Sequence, residues 1–317
     1  MSKSDQPALP RLPVSLLRAT APWKRSAAAA TTLPTTESSV TGWRPDRRRL
    51  AEYRALVGSG SELPMAYPQV PIMAMHMDLL SRWSFPVRAV GLVHQGSVVE
   101  ALGELPADQR WELRVWGSPG RHVRLGLEWD MLGEVSIDGR VRWRSRAVYL
   151  SRSRRASGAE ESTVPALSGE GPWAHEQVLV VPEGTGRAFG RVTGDVNPIH
   201  LHEATARLFG FPRAIAHGWW TTARTTAMLG MDEAVPGRTL EMVFRRPVLL
   251  PSQPLLCSRT APGTKTGTEP GTEPGIEPAI EFALVRARVE ERAAGESASE
   301  EPSEDSRRVL HVGRVTG

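Results

Sequence analysis

Two short segments carry residue types that could do chemistry. Residues 193–200 read Thr-Gly-Asp-Val-Asn-Pro-Ile-His, so the carboxylate of Asp195 precedes the imidazole of His200 by five positions across a turn stiffened by Pro198. Residues 216–218 read Ala-His-Gly, and Gly218 stands 18 positions after His200, where a helix of small and apolar residues is expected to begin. A carboxylate and an imidazole can activate a water molecule. A backbone amide at a helix start can stabilise a developing oxyanion.

Each of these residues also has a purely structural interpretation. Gly-Asp-x-Asn-Pro is a good surface turn, in which Asn197 bonds the neighbouring backbone and Pro198 keeps Asn197 extended. A single histidine such as His200 is more often packed or exposed than catalytic, and His217 fits a structural helix start. The combination with Gly218 favours the catalytic interpretation. The histidines and Asp195 do not have the spacing of a zinc site, so we expect no metal.

The elements that must position these groups form a unit predicted over 173–317. A strand is expected at 177–181, a short helix at 203–209, and a main helix at 217–230 whose Thr, Ala and Met interior suits close wrapping by a sheet. Four strands should follow, at 238–250, 255–260, 279–290 and 309–315. Two low-complexity loops, 263–278 and 291–307, interrupt them.

A second unit with the same order of elements precedes it. After a flexible arm over 1–44, the unit spans 45–151, with a short helix capped by Asp46 and ended near Gly58, then a longer helix at 71–83. Alternating polar and apolar residues predict strands at 87–102, 111–116, 123–131 and 141–150. A polar segment, 152–172, links the two units. The chain therefore reads as a duplicated helix-and-sheet module whose second copy holds the chemistry.

Composition excludes several functional classes. The 317 residues are 40% hydrophobic and carry a net charge of +4. No basic stripe interleaved with aromatics points to nucleic acid, no apolar run reaches the length of a membrane span, and no glycine fingerprint indicates a nicotinamide cofactor. Cys257 is the only cysteine, which rules out an intrachain disulfide. A cytoplasmic location is the default expectation.

The run from Phe189 to His200 resembles the signature of MaoC-like dehydratases, also called R-specific enoyl-CoA hydratases, and 216–218 is similar to that family's oxyanion segment. The segment 244–248 is similar to the family's strand after the main helix. The resemblance implies an α+β double hot-dog fold, in which two curved antiparallel sheets each wrap a central helix. The first unit lacks the motif and would be a degenerate partner that shapes an acyl tunnel. His202 departs from the acidic residue common in relatives.

The resemblance also implies an activity: hydration of trans-2-enoyl thioesters to (R)-3-hydroxyacyl thioesters, or the reverse, on coenzyme A or acyl carrier protein. Asp195 and His200 would hold the water, Gly218 would supply the oxyanion amide, and Asn197 would orient the site. Trp219 would line the acyl pocket, and Arg245 or Arg246 would meet coenzyme A phosphates, although a salt bridge fits these arginines equally well. No cofactor is expected beyond the coenzyme A of the substrate, and a homodimer is compatible with the pattern.

Two other functions remain open at this point. One is a hot-dog thioesterase, which would release thiol without a hydroxyacyl product. The other is a non-catalytic acyl-binding subunit of a fatty-acid or polyketide complex, against which the intact motif argues.

Overall fold

A computed structural model describes residues 7–10, 33, 36–87, 91–153, 160–262, 279–286 and 308–317. The expected low-complexity loops at 263–278 and 291–307 lie outside these residues, as do most of the expected arm and part of the linker. We call residues 37–153 the first half and residues 160–317 the second half. No helix in the described ranges has the length and apolar character needed to cross a membrane.

Eleven strands occur in the described part of the chain. They are β1 Glu37–Trp43, β2 Leu92–Ala101, β3 Trp111–Gly117, β4 Arg121–Val123, β5 Gly126–Ile137, β6 Arg140–Arg152, β7 His175–Val178, β8 Thr239–Phe244, β9 Leu255–Ala261, β10 Ala279–Val285 and β11 Val309–Thr316. The helices there are α1 Arg47–Val57, α2 Gln69–Ser81, α3 Thr185–Thr193, α4 Pro198–Leu201, α5 Glu203–Leu208 and α6 Gly218–Met228.

The strands form one antiparallel sheet rather than two separate ones. Its order is β1-β3-β5-β6-β2-β8-β11-β10-β9-β7, with β4 paired to β5. The junction between the halves is the pairing of β2 with β8, in which Gly96 faces Val243 and Val98 faces Glu241. The two expected hot-dog units are therefore present, and backbone hydrogen bonds hold them in a fixed register.

The first half is built around α2, which lies against the sheet. Ile72, Met75 and Leu79 on this helix are fully buried, and each such side chain contributes roughly 1.5–3 kcal/mol through its burial. His76 is also fully buried, and its Nε2 donates to the carbonyl of Leu132 on β5 at 3.0 Å. The short helix α1 has the expected limits, since Asp46 accepts from the amide of Arg49 and Gly58 ends the helix in the left-handed region.

The expectation of a flexible arm over 1–44 is wrong for residues 37–43. Residues 37–43 form β1, which pairs with β3 along the sheet edge. Trp43 is buried, with its ring 5.4 Å from that of Trp111. The strand forms because it adds backbone hydrogen bonds to an open edge and buries a large aromatic side chain. The polar composition of the preceding residues hid this signal.

The described part of the predicted linker is held against the first half. Glu128, fully buried on β5, accepts from the hydroxyl of Ser162 at 2.6 Å and the amide of Thr163 at 3.0 Å. Arg121 donates to Glu128 at 2.9 Å and to Asp130 at 2.7 Å. Residues 162–163 are therefore part of an ion-pair network, and they do not behave as a free spacer.

The second half encloses α6, whose buried face is rich in threonine. Thr221, Thr222, Thr225 and Thr226 are all buried, and their hydroxyls donate to backbone carbonyls of the preceding turn at 2.9–3.2 Å. Buried polar groups need such partners. The threonine hydroxyls on this buried face are therefore satisfied within the helix itself.

Candidate active site

The turn after α3 fixes the position of the acidic residue and of the helix that follows. Gly194 ends α3 with φ 85°. The carboxylate of Asp195 accepts from the amide of Asn197 at 3.2 Å, and the side chain of Asn197 accepts from the amide of Ile199 at 3.4 Å. Asn197 thus caps α4, with Pro198 as its first residue. The turn that the sequence predicted therefore positions both Asp195 and the helix that carries His200.

Two glycines let α3 pack directly against this turn. A Cβ at Gly186 would lie 1.9 Å from the carbonyl oxygen of His200, and a Cβ at Gly190 would lie 2.6 Å from that of Asp195. Either clash would push backbone against backbone, so a side chain at these positions would displace the turn. This close approach explains the glycine within the Phe-Gly-Arg-Val-Thr run.

His200 is held in one tautomer. Its Nδ1 lies 2.8 Å from the carbonyl oxygen of Ile215 and donates to it. The other ring nitrogen, Nε2, then has a free lone pair. The ring stacks on that of His217, with 3.7 Å between centroids and 26° between planes. Burial and the neighbouring His217 lower the pKa of His200 to about 3, so the ring is neutral at physiological pH.

His217 connects the motif turn to the start of α6. Its Nε2 donates to the backbone carbonyl of Asp195 at 3.0 Å and lies 3.8 Å from the Asp195 carboxylate. The ring is 3% exposed, and burial lowers its pKa although Asp195 opposes that shift. Phe189 covers it at 5.0 Å between centroids. The expectation of a structural helix-start residue is incomplete, because His217 also touches both proposed catalytic groups.

Gly218 is the first residue of α6, so its amide N–H has no acceptor within the helix. The aligned peptide dipoles of the helix make this end electropositive. A Cβ at this position would lie 3.2 Å from the ring of Phe244 on β8. The unpaired amide and the electropositive helix end suit an oxygen atom that approaches the helix start, and the lack of a side chain leaves room for the Phe244 ring.

A cavity of about 150 Å³ lies beside these groups, and both halves line it. The second half contributes Asp195, His217 and Gly218, and His200 adjoins the cavity through its stack on His217. The wall from the first half includes Met73 and Met77 of α2 and His94 of β2. His94 stacks on Tyr149 at 5.0 Å between ring centroids and lines the cavity.

The predicted substrate-binding residues fall in two places. Trp219 lines the cavity. Arg245 and Arg246 are exposed at the end of β8 and do not line it. The Arg245 side chain donates to the carbonyl of Leu167 at 2.6 Å. A contact of either arginine with coenzyme A phosphates stays a prediction.

Asp195, His200 and His217 also have the side-chain types of a metal site. Their potential ligand atoms lie within 4.8 Å of one another. One nitrogen of each ring already donates to a backbone carbonyl, at Ile215 and Asp195 respectively. The expectation that no metal is required stays a prediction, and chelation tests it.

The resemblance implied that the first unit shapes the acyl tunnel, but the sequence did not identify the residues that do so. Tyr53, Gln69, Val70 and Tyr149 all line the cavity, and the sequence pointed to none of them. The helix predicted at 71–83 begins at Gln69 in the structure, so the sequence left Gln69 outside the element that carries it. The others look like ordinary core residues until the halves are joined.

Comparisons with known proteins identify the family and the fold. Residues 168–253 match the family model described as MaoC like domain. Over 210 residues the chain is 30% identical to 3-hydroxyacyl-thioester dehydratase X of Mycobacterium tuberculosis, a match that covers 65% of this chain and 74% of the relative.

Two solved structures share the fold. The crystal structure of HtdX from M. tuberculosis has a TM-score of 0.64 at 23% identity and covers 89% of this chain and 100% of its own. A conserved hypothetical protein of the same organism, described as having a double hot-dog fold, has a TM-score of 0.50 at 13% identity, with 92% and 97% covered. The chain therefore belongs to the MaoC-like dehydratase family and has its double hot-dog fold.

Proposed function

We propose that this protein is an acyl-thioester hydro-lyase that interconverts trans-2-enoyl and (R)-3-hydroxyacyl thioesters. One observation carries the proposal: Asp195, His217 and Gly218 line a single cavity, and the neutral His200 ring adjoins it through its stack on His217. Asp195 and His200 have ligand atoms within 4.8 Å of each other. That distance suits two groups that hold the same water molecule.

The amide of Gly218 would stabilise the thioester oxygen. Water adds to C3 of the enoyl group, and the C2=C3 electrons move toward the thioester, so negative charge collects on that oxygen. A fixed N–H donor aimed at such an oxygen typically contributes about 2.7–4 kcal/mol. The free N–H at the start of α6 provides the donor, and the electropositive helix end adds to it.

Asp195 and His200 would move the protons. One water proton passes to this pair while the oxygen bonds to C3, and the pair delivers a proton to C2, so that both groups return to their starting state. His200 accepts through Nε2, because Nδ1 donates to Ile215. The nearby carboxylate of Asp195 favours the charged ring, opposing the effects of burial and of His217.

The acyl chain would occupy the cavity between the halves. The wall supplied by α2 is mostly apolar, with Val70, Met73 and Met77 facing inward. The carrier is coenzyme A or acyl carrier protein. A cytoplasmic location and a homodimer are predictions that accompany this proposal.

The test is the loss of enoyl absorbance with crotonyl-CoA, followed by chiral analysis of the product. His200→Asn keeps a donor for Ile215 but removes Nε2, and Asp195→Asn keeps an acceptor for Asn197 but removes the charge. Each should lower kcat by roughly 10²–10⁴. His202→Asn is the matched control, since His202 is exposed two residues away.

Three outcomes would decide against the assignment. Full activity in both site variants would remove Asp195 and His200 from the mechanism. Thiol release without a hydroxyacyl product would indicate a thioesterase. Tight acyl binding without turnover at any chain length would indicate a binding subunit.

A further inference from the structure

The Gln69 side chain is polar, buried and, within the part of the chain that the structure describes, unpaired. Gln69 is the first residue of α2 and lines the cavity, and it is only 1% exposed. Neither Nε2 nor Oε1 of its amide has a hydrogen-bond partner among the described residues. A buried amide left in this state destabilises a fold, whereas a methionine of similar shape would not.

Tyr53 brings a second such group to the same cavity. The side chain is completely buried, and its hydroxyl also has no partner among the described residues. The Tyr53 ring packs against Phe189 at 5.8 Å, and Phe189 packs against His217 at 5.0 Å. The hydroxyl therefore belongs to the wall that continues into the catalytic turn.

The surroundings indicate a neutral ligand group. In the described ranges, the wall from the first half contains no lysine, arginine, aspartate or glutamate. Its one histidine, His94, is neutral at physiological pH, because burial lowers its pKa to about 4. An amide and a phenol together offer donors and acceptors that match a hydroxyl or a carbonyl.

We propose that Gln69 and Tyr53 bind a neutral oxygen-bearing group of the substrate and determine specificity for it. This proposal rests on the proposed acyl-thioester chemistry and adds a second polar contact to the one at Gly218. The group is a carbonyl or hydroxyl, and it has two possible sources. One is an oxygen substituent on the acyl chain, and the other is an amide of the pantetheine arm.

The experiment compares wild type with Gln69→Met and Tyr53→Phe on three kinds of thioester. These are plain 2-enoyl-CoAs, 2-enoyl-CoAs of the same length with a hydroxyl or oxo group along the chain, and enoyl thioesters of ethanethiol, which lack the pantetheine amides. If the oxygen-bearing group is on the acyl chain, the two substitutions lower kcat/KM at least tenfold more for oxygenated acyl chains than for plain ones. If the pantetheine arm carries it, the loss is at least tenfold larger for all CoA esters than for ethanethiol esters.

Thermal unfolding separates recognition from structure. Gln69→Met should unfold at the same temperature as wild type or higher, because it removes an unpaired buried amide. Gln177→Met makes the same chemical change on exposed β7 and should leave the substrate profile unchanged. Equal losses on every thioester, or ratios within twofold of wild type throughout, would overturn the proposal.

The proposed function is tested separately by wild-type turnover of crotonyl-CoA. If wild type is inactive, the same ratios are measured as affinities by titration with plain and oxygenated acyl-CoAs. The recognition proposal would then also be overturned if wild type and Gln69→Met bound all these acyl-CoAs equally well, with or without the oxygen group.

Discussion

Replacing Gly218 can separate the amide donor from the space around it. Gly218→Ala keeps the N–H and adds a Cβ, whereas Gly218→Pro adds a ring and removes the N–H. Proline is well tolerated as the first residue of a helix. The preceding residue, His217, has φ −65° and ψ 134°, which is the extended geometry that a following proline requires. Both variants should therefore fold.

The structure sets the size of the two effects. The added Cβ would lie 3.2–3.5 Å from three carbons of Phe244, so the ring must shift by a few tenths of an ångström. We expect this crowding to lower kcat by about tenfold or less. Loss of one oxyanion donor lowers kcat by roughly 10²–10³. Gly218→Pro should therefore be slower than Gly218→Ala by about that factor.

The assay is steady-state hydration of crotonyl-CoA, with circular dichroism and thermal unfolding to confirm that both variants are folded. The ratio of the proline to the alanine variant is the measured quantity, because both variants carry the Cβ that crowds Phe244. The ratio therefore reports what happens at the amide itself, where the proline Cδ replaces the hydrogen. A folded proline variant with kcat within threefold of the alanine variant would show that this amide does not stabilise the transition state.

Three further predictions concern pH, ion pairing and metals. Burial lowers the pKa of His76 to about 4 and that of His311 to about 3. Their ordinary pKa is near 6.5, so the unfolded chain binds more protons below that pH, and stability present above pH 6.5 is lost as the pH falls toward 4. At pH 5 each of these histidines lowers the free energy of unfolding by about 2 kcal/mol. Tm should therefore fall between pH 7 and pH 5, and a constant Tm would contradict this prediction. Arg121→Met leaves Glu128 buried without its cationic partner and should cost about 3–5 kcal/mol. Urea unfolding measures this cost, and proteolysis near residue 163 should accelerate. Excess EDTA should leave kcat unchanged, and a loss restored by zinc would instead assign Asp195, His200 and His217 to a metal.

The sequence predicted the local geometry of the site because short-range bonds determine it. The contacts from Asp195 to Asn197 and from Asn197 to Ile199 span two residues each, and the cap of α4 follows from them. The start of the main helix was likewise predicted within one residue, because Gly218 marks it.

Contacts between segments that are far apart in the sequence could not be predicted from it. The pairing of β2 with β8 joins residues nearly 150 positions apart, and no local pattern marks it. The contact of His94 on β2 with Phe244 on β8 depends on that pairing. The edge strand β1 was missed for a similar reason, since its stability comes from a partner strand and from Trp111.

The β2–β8 junction brings the half without the catalytic motif next to the candidate site. His94 on β2 lies 4.8 Å from the ring of Phe244 on β8, and the same ring borders Gly218. The side chain of Phe244 therefore lies between His94 on β2, which is part of the cavity wall, and the proposed oxyanion amide of Gly218. Because backbone hydrogen bonds fix the register between β2 and β8, the wall and the amide keep a constant separation. Because the two hot-dog units belong to one chain, a substitution in the first half, for example at Gln69, alters one wall of the cavity. The catalytic turn in the second half stays unchanged.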